Sequence, residues 1–291
     1  PASVTYAGKP TYRAPLGVPA GAQFLPYPDE YRSPWAMGAD VADAALALLD
    51  ATLDDPGSGV ETPACIILEP IQGNGGAVVA PDAFLRGLRE RCDRHGILLI
   101  FDEIQCGFGR SGRMWACDHA GVCPDLMTVG KGIGGGLAVA AVLGRESAMG
   151  SWAPDAVSST FLTNALGYAA GCAAIAVLQE EGLVERAARL GEHALGRLRD
   201  GLAGVAHVGD VRGRGMLLGI ELVGQGGAPD ATRTKAACAA MRERGIIVGY
   251  SGRAGNVVKL SPPLVVADAD WDRVIDELID VIKNGNRENA S

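Results

Sequence analysis

A carboxylate and a lysine, the two side chains of this sequence best placed for chemistry, each follow a short apolar segment. Asp102 closes the run LLIFD (98–102), and Lys131 lies between glycines in TVGKGIGGG (128–136). Short apolar runs bounded by glycine predict buried parallel strands, and ligands bind beyond the carboxyl ends of such strands. A lysine amine can form a Schiff base with an aldehyde, and a carboxylate can keep a pyridine nitrogen protonated. The two together predict a site for an aldehyde-bearing pyridine.

Each of these residues alone also has an ordinary interpretation. An Asp102-Glu103 pair on its own is typical of a solvated loop, and so is a single loop lysine. The glycines around Lys131 match G-x-G-x-x-G from Gly130 onward, but the AVAAVLG that comes next is too strand-like for the helix of a dinucleotide site. The joint occurrence of the carboxylate and the lysine favours pyridoxal 5′-phosphate, which requires both groups.

The segments around Asp102 predict the β-α-β unit that holds it. ACIILEP (64–70) indicates a buried strand, and PDAFLRGLRERCDRHG (81–96) indicates a helix with proline at its first position and glycine at its end. The run LLIFD is the second strand, and DLMTVG (125–130) and AVAAVLG (138–144) predict two more. Strands alternating with helices indicate an α/β fold with a mostly parallel sheet.

The rest of the chain predicts a second, smaller unit. Residues 1–37 are rich in proline and glycine and indicate irregular structure, whereas glycine-punctuated strands and a final helix at 268–284 indicate an α+β domain. We therefore expect a large domain over residues 1–200 and a small C-terminal domain over residues 201–291. Further helices are predicted at 40–55, 164–180 and 182–202.

Composition narrows the class of ligand. The 291 residues carry a formal charge of −8 with no basic cluster, which argues against nucleic acid or an anionic membrane as partner. The seven cysteines form no C-x-x-C pair and the four histidines are scattered, so we expect no metal site and reduced thiols, as in a cytoplasmic protein. There is also no signal-peptide pattern and no apolar run long enough to span a membrane. A small-molecule ligand fits best.

Residues 64–283 closely resemble the class III (omega-type) aminotransferases of pyridoxal-phosphate fold type I. The motifs that carry the resemblance occur in family order: LEPIQGNGG, LLIFDEIQCGFGRSG, PDLMTVGKGIGGG, GDVRGRGMLLGIEL and NVVKLSPPLVV. The resemblance implies a large cofactor-binding domain, in which helices cover both faces of a mostly parallel sheet, and a smaller α+β C-terminal domain. It also implies pyridoxal phosphate as cofactor.

The resemblance assigns roles to five residues. It makes Lys131 the Schiff-base lysine and proton carrier, Asp102 the partner of the pyridine nitrogen, and Gln105 a hydrogen-bond donor to the ring's phenolic oxygen. Ile104 packs on one face of the ring. Thr160, in SSTFLTN, matches the threonine that reaches the cofactor phosphate of the neighbouring subunit, which implies a homodimer with shared active sites.

Three further residues are placed in the site by the same resemblance. Glu69, in LEPIQGNGG, is grouped with the cofactor-binding residues. Asn74 and Lys259 are candidate substrate-binding residues that depart from the family pattern, because glutamate-using members often have Glu and Arg at these positions. Lysine offers a carboxylate a point charge without the bidentate fork of arginine. A turn asparagine and a solvated lysine are equally good interpretations of the two.

The expected reaction is transfer of an amino group between an amine or amino acid and a 2-oxo acid. Racemases, epimerases and phospho-lyases share the same lysine and aspartate, so the fold specifies the cofactor better than the reaction. A non-catalytic protein of the same fold, or an inactive fragment, is a further alternative, because the family's N-terminal phosphate-binding turn has no counterpart in this sequence. We expect that the chain is truncated at its N-terminus.

Overall fold

The computed structural model describes residues 22–36, 38–150, 153, 162 and 164–284. The strands are β1 Cys65–Leu68, β2 Ile71–Gln72, β3 Val78–Val79, β4 Leu98–Asp102, β5 Leu126–Val129, β6 Ala141–Gly144, β7 Val208–Arg214, β8 Leu217–Leu222, β9 Gly249–Ser251 and β10 Val257–Leu260. The α-helices are α1 Val41–Asp54, α2 Asp82–His95, α3 Glu146–Met149, α4 Ala165–Glu180, α5 Leu183–Leu202, α6 Ala231–Glu243 and α7 Asp268–Asn284. Most of the predicted helices and strands are found within one to three residues of their predicted ends.

The first sheet has the strand order β1-β4-β5-β6. Strands β1, β4 and β5 are parallel, and β6 runs antiparallel to β5. This mostly parallel sheet confirms the predicted α/β class. Helix α2 connects β1 to β4 after the short β2–β3 hairpin. Pro81 immediately precedes the helix instead of being its first residue, and Gly96 follows its last residue with a left-handed backbone (φ 66°) and an N–H that donates to the carbonyl of Cys92.

Only one face of the first sheet is well covered by the described residues. Helices α1 and α2 place Leu46, Leu85 and Leu88 against Leu99 and Phe101, which are fully buried. The alternation of β4 predicts this, since Leu99 and Phe101 share one side of the strand. The end of β4 that carries Asp102 is therefore held from one side by a packed core.

The prediction that residues 64–70 form a buried strand is wrong in part. Strand β1 is present, but Cys65 and Ile67 on one side of it are exposed, Ile67 by 53%. The reason is coverage: helices α1 and α2 pack on the face that carries Ile66 and Leu68, and no helix within the described ranges covers the opposite face. Leu98 is also exposed, so LLIFD is fully buried on one face only.

The second sheet is antiparallel throughout, with the order β7-β8-β10-β9. Every residue of β8 is buried, and Trp271 and Ile275 of α7 lie in the core behind it. Helix α5 also packs in this core through Leu190 and Leu198. The predicted division at residues 200 and 201 remains a prediction, although α5 packs with the second sheet.

Candidate active site

Asp102 and Lys131 both lie where the parallel strands of the first sheet have their carboxyl ends. Asp102 is the last residue of β4 and pairs in register with Thr128 of β5, and Lys131 follows β5 after one further glycine. Because the two strands are parallel, their carboxyl ends face the same side. The Lys131 Nζ donates a hydrogen bond of 2.9 Å to Gln105 Oε1, so three of the predicted site residues come together here.

The backbone around Lys131 is unusual. Lys131 has φ 48°, in the left-handed region that a residue with a side chain seldom adopts, and it begins a short 3-10 helix, Lys131–Gly134. The side chain is exposed at the edge of the sheet. Non-glycine residues held in this region cluster at functional sites, where the surrounding structure imposes the strain.

The two adjacent carboxylates of the DE pair have different environments. Asp102 is half-buried, and its Oδ1 accepts a 3.0 Å hydrogen bond from the backbone N–H of Ile104. Glu103 is buried, and its carboxylate accepts hydrogen bonds of 2.8 Å each from the backbone N–H groups of Ala116 and Cys117. Burial raises the pKa of Glu103, an effect that those N–H groups oppose. Asp102 therefore faces the site, whereas Glu103 anchors the loop behind it.

Glu69 and Gln105 meet at the turn of the β2–β3 hairpin. The Glu69 Oε2 accepts a 2.8 Å hydrogen bond from the backbone N–H of Gly73. A Cβ atom at Gly73 would come within 2.3 Å of Gln105 Cδ, so only glycine allows the turn to lie this close. Burial raises the pKa of Glu69, and the charge of Asp102 raises it further, while the Gly73 N–H and the nearby Lys131 oppose the shift.

Lys259 lies on β10 of the second sheet and faces the same region. Burial lowers its pKa, and the positive charge of Lys131 lowers it further, whereas Glu69 acts in the opposite direction. Within the described part of the chain, no carboxylate lies within ion-pair distance of its ammonium group. The structure thus brings Glu69, Lys131 and Lys259 into one electrostatic cluster across the two sheets.

Asn74 and Ile104 take different positions at the site. The Asn74 side chain is exposed, and its backbone carbonyl accepts a 3.0 Å hydrogen bond from the N–H of Gly252. Ile104 packs against the Lys131 loop, since a Cβ atom at Gly130 would be 3.5 Å from Ile104 Cγ2. Thr160 falls outside the described residues. The individual roles assigned to the site residues remain predictions.

Two features of the site were not predicted. The Thr128 Oγ1 is buried without a hydrogen-bond partner in the described residues, on the residue paired with Asp102. A Thr in the apolar run DLMTV, two residues before the glycine-lysine step, is the sequence signal that could have drawn attention to it. The turn at Gly73 was also missed, because strands β2 and β3 have only two residues each.

The residues present fit pyridoxal phosphate. Lys131 offers an amine flanked by Gly130 and Gly132, which leave room for a flat ring, and Asp102 Oδ2 accepts no hydrogen bond from the described residues. The unpartnered Thr128 Oγ1 and the half-buried Lys259 are polar groups left for a ligand to satisfy. An anionic pyridine aldehyde matches this set of an amine, a carboxylate and a second cation.

Comparison with known proteins identifies the family. The aminotransferase class-III family profile matches residues 3–282. Diaminobutyrate–2-oxoglutarate aminotransferase of Rhizobium meliloti is 40% identical over 263 residues, which cover 87% of this chain and 56% of that protein. Acetylornithine aminotransferase of Methanothermobacter thermautotrophicus is 39% identical, over 97% of this chain and 65% of that protein.

A solved structure gives the same result at the level of the fold. The ornithine aminotransferase of Toxoplasma gondii, whose crystal has partial occupancy of PLP at the active site, superposes with a TM-score of 0.83 at 30% identity. The match covers 98% of this chain and 61% of that one. The chain spans 56% to 65% of the length of the two curated relatives named above. The chain belongs to the class III aminotransferase family.

Proposed function

We propose that the protein acts with pyridoxal phosphate as an aminotransferase, moving an amino group between an amine or amino acid and a 2-oxo acid. The observation that carries this proposal is the convergence of Lys131, Gln105 and Asp102 at the carboxyl ends of β4 and β5. When bound, the cofactor supplies an aldehyde that captures amino groups and a ring that withdraws electrons. The protein groups around the ring determine which reaction this chemistry serves.

Lys131 would bind the aldehyde carbon and afterwards carry a proton to and from the substrate carbon. Its exposed amine and its hydrogen bond to Gln105 support both tasks, because the amine has room to move while one neutral partner directs it. Asp102 would hold a proton on the ring nitrogen, and the N–H of Ile104 bonded to its Oδ1 leaves Oδ2 to do so. Charge stabilisation of this kind is among the largest single contributions to enzymatic rates.

The remaining cofactor contacts are proposed from the family resemblance, with support from the described geometry for Ile104, Gln105 and Glu69. Ile104, next to Gly130, would pack on a face of the ring, and Gln105 would bond its phenolic oxygen. Glu69 would support Gln105 by holding the Gly73 turn against it. Thr160 would bind the phosphate of the neighbouring subunit.

Substrate recognition would involve Lys259. Its half-buried ammonium has no carboxylate partner among the described residues, so an incoming carboxylate group satisfies it. Asn74, whose side chain is exposed on the β2–β3 turn, would provide a neutral amide where glutamate-using members of the family often have Glu. The proposed donors are compounds with a primary amine and a carboxylate.

The proposed assembly is a homodimer in the cytoplasm. Helix α4 supports the dimer, since Leu166, Tyr168 and Val177 are exposed on a helix that is apolar around most of its circumference. All seven cysteines are free thiols, in keeping with a reducing compartment. No helix in the described part of the chain is long and apolar enough to cross a membrane.

The proposal is tested by trapping and by turnover. We expect borohydride treatment of the protein with pyridoxal phosphate to fix the cofactor to the peptide that contains Lys131, and Lys131→Ala to abolish that adduct. Amines bearing a carboxylate should then yield an amino acid from 2-oxoglutarate. Cofactor fixed at another lysine, or no fixation in wild-type protein, would contradict the proposal.

Racemisation is the second candidate, and a specific similarity favours testing it. Leucine/methionine racemase of Thermococcus litoralis is 34% identical over 268 residues, covering 91% of this chain. A racemase inverts a single amino acid enantiomer without any 2-oxo acid. Loss of optical rotation in the absence of 2-oxo acid, with no amino transfer in its presence, would assign that reaction instead.

A further inference from the structure

We propose that Arg212 is a positioning residue that holds the β2–β3 turn between the two sheets and so fixes where Lys259 lies relative to Lys131. This inference rests on the proposed function for its effect on substrates. It concerns a residue that lies outside the cofactor and substrate contacts described above.

Strand register places Arg212 and Lys259 in one row. Arg212 of β7 is paired with Gly219 of β8, and Gly219 is paired on its other side with Lys259 of β10. Directly paired residues of an antiparallel sheet point to the same face. Arg212 and Lys259 therefore flank Gly219 on one face of the second sheet, about 10 Å apart across two strand spacings.

The β2–β3 turn occupies the gap that Gly219 leaves. A Cβ atom at Gly219 would lie 2.7 Å from the carbonyl oxygen of Gly76 and 3.3 Å from Ala77 Cβ, so any side chain there would displace the turn. Ala77 is fully buried and has φ 54°, a strained conformation for a residue with a side chain. The turn therefore packs directly on Gly219, between Arg212 and Lys259 on the same face of the second sheet.

Arg212 makes the bond that fixes the turn in this place. Its Nε donates a 2.9 Å hydrogen bond to the Gly76 carbonyl, and its Nη1 binds Asp210 and Glu221 at 3.0 and 2.8 Å. The side chain is 11% exposed. The two carboxylates orient the guanidinium within the second sheet. The hydrogen bond from Nε then joins this sheet to the β2–β3 hairpin, which belongs to the first half of the chain.

Charge neutralisation of Glu221 does not account for Arg212 by itself. The Glu221 carboxylate also receives Arg32 Nε at 2.7 Å and Asn256 Nδ2 at 3.1 Å. Glu221 keeps a cation and an amide donor when Arg212 is removed. The bond from Arg212 to Gly76 has no such replacement among the described residues.

The turn connects Arg212 to the active site at its other end. Gly73, three residues before Gly76, packs on Gln105 and donates to Glu69. A shift of the turn therefore moves Gln105, the hydrogen-bond partner of Lys131, and opens space beside Lys259. The two cations of the site are held at their spacing by this contact.

The test compares Arg212→Met and Gly219→Ala with a matched control, Arg199→Met. Arg199, on helix α5, also donates a hydrogen bond from its Nε to a backbone carbonyl, that of Val211 at 3.0 Å. This bond joins α5 to β7 and does not involve the β2–β3 hairpin. Hydrogen–deuterium exchange of the peptide 70–78 reports the turn. Calorimetric titration with glutarate, an unreactive dicarboxylate, reports the Lys259 subsite without turnover.

We expect peptide 70–78 to exchange faster in both test variants. Both should also bind glutarate about tenfold or more weakly, because a displaced Lys259 ammonium loses its charge-assisted contact with a glutarate carboxylate. Where the wild-type protein turns over, KM for the 2-oxo acid should rise by a similar factor and kcat should change by less. Arg199→Met should leave all three unchanged. Arg212→Lys, which keeps the charge without the fork, should behave like Arg212→Met.

Several results would overturn the inference. Unchanged exchange in peptide 70–78 would show that Arg212 does not hold the turn, and unchanged glutarate binding with faster exchange would disconnect the turn from Lys259. Equal effects of Arg199→Met would indicate a general loss of stability, and absence of glutarate binding to wild-type protein would remove the Lys259 subsite. A failed borohydride fixation at Lys131 would instead contradict the proposed function and leave the exchange and glutarate results to decide this inference.

Discussion

The two four-stranded sheets differ in how completely they are covered. Every residue of β8 in the second sheet is buried, whereas every residue of β6 in the first sheet is exposed. The second sheet closes a core with α5 and α7, but the first sheet, which carries Asp102 and Lys131, is packed on one face. Asp102 and Lys131, the two residues proposed for the chemistry, therefore lie on the less completely covered sheet.

Buried charges also differ between the ion-pair cluster at Glu221 and the proposed site, although Lys259 of that site lies on the second sheet too. In the second sheet, burial raises the pKa of Glu221, but Arg32 and Arg212 outweigh that effect and the net shift is downward. In the site, burial raises the pKa of Glu69 and lowers that of Lys259, and neighbouring charges do not compensate. Uncompensated shifts of this kind are typical of functional sites.

The largest expected effect is a loss of stability when the hydrophobic core between the second sheet and its helices is disrupted. Trp271 is 1% exposed and its Nε1 donates to the Leu190 carbonyl at 3.3 Å. Trp271→Ala should lower the free energy of unfolding by roughly 3–5 kcal/mol, because a large cavity replaces the indole. Urea unfolding followed by circular dichroism measures it, with Leu143→Ala on exposed β6 as control. Equal losses in the two variants would contradict the contrast between the sheets.

The next effect is on turnover without a comparable loss of stability. Asp102→Asn should reduce kcat by roughly 10²–10³, the scale for removing one preorganised electrostatic group. The half-buried side chain accepts one backbone N–H, which an amide oxygen can also accept, so the fold should survive. Steady-state kinetics and the absorbance of bound cofactor report the change. Near-normal turnover would remove the role assigned to Asp102.

Glu103, the adjacent carboxylate, should respond in the opposite way. Its oxygens bind two backbone N–H groups in a buried setting, and a single amide oxygen cannot replace both. Glu103→Gln should lower the free energy of unfolding by roughly 1–3 kcal/mol. Thermal unfolding of Glu103→Gln and Asp102→Asn, measured side by side, tests whether only the first substitution lowers the stability. A stable Glu103→Gln protein would show that the loop does not depend on this carboxylate.

The pH dependence of stability should reveal how much the ion pairs of Glu221 with Arg32 and Arg212 stabilise the protein. Because the folded pKa lies below the unfolded value of about 4.3, its ion pairs stabilise the protein above that pH and the contribution is lost as pH falls through the folded pKa. The advantage of wild type over Glu221→Gln should therefore be constant from neutral pH to about pH 5 and shrink below. Urea midpoints across this range measure it. A constant difference down to about pH 3 would contradict the shift.

Sequence patterns predicted the elements that depend on local periodicity and punctuation. The helix at 82–95 has a proline and a glycine at its ends, and the final helix begins at Asp268 as predicted. Asp102 was identified because it ends an apolar run and Lys131 because it comes just after one, and the carboxyl ends of parallel strands lie on the same side of a sheet.

The remaining features depend on contacts between distant residues. The apolar run of β1 does not say whether a neighbour covers its outer face, so Ile67 was expected to be buried. The row of Arg212, Gly219 and Lys259 depends on strand register, which no local pattern specifies. The buried Glu221 and its ion pair with Arg32, 189 residues away in the chain, were not predicted, because no local pattern joins two residues so far apart in the sequence.

The smallest expected effect tests the uncovered face of the first sheet. Ile66 and Ile67 are adjacent in β1 and point to opposite sides, Ile66 against the core with α1 and α2 and Ile67 into solvent. Ile67→Thr keeps a β-branched residue in the strand, so the free energy of unfolding of the 291-residue chain should change by less than about 0.5 kcal/mol.

The matched substitution Ile66→Thr should cost more, roughly 1–3 kcal/mol, since it places a hydroxyl against an apolar core. Urea unfolding of the two variants, which differ by one position and share the same chemistry, isolates the effect of the covered face. Light scattering should also show less aggregation for Ile67→Thr, because it removes an exposed apolar side chain from an edge strand. A cost at Ile67 equal to that at Ile66 would mean that both faces of the first sheet are covered in solution, and the contrast between the two sheets would fail.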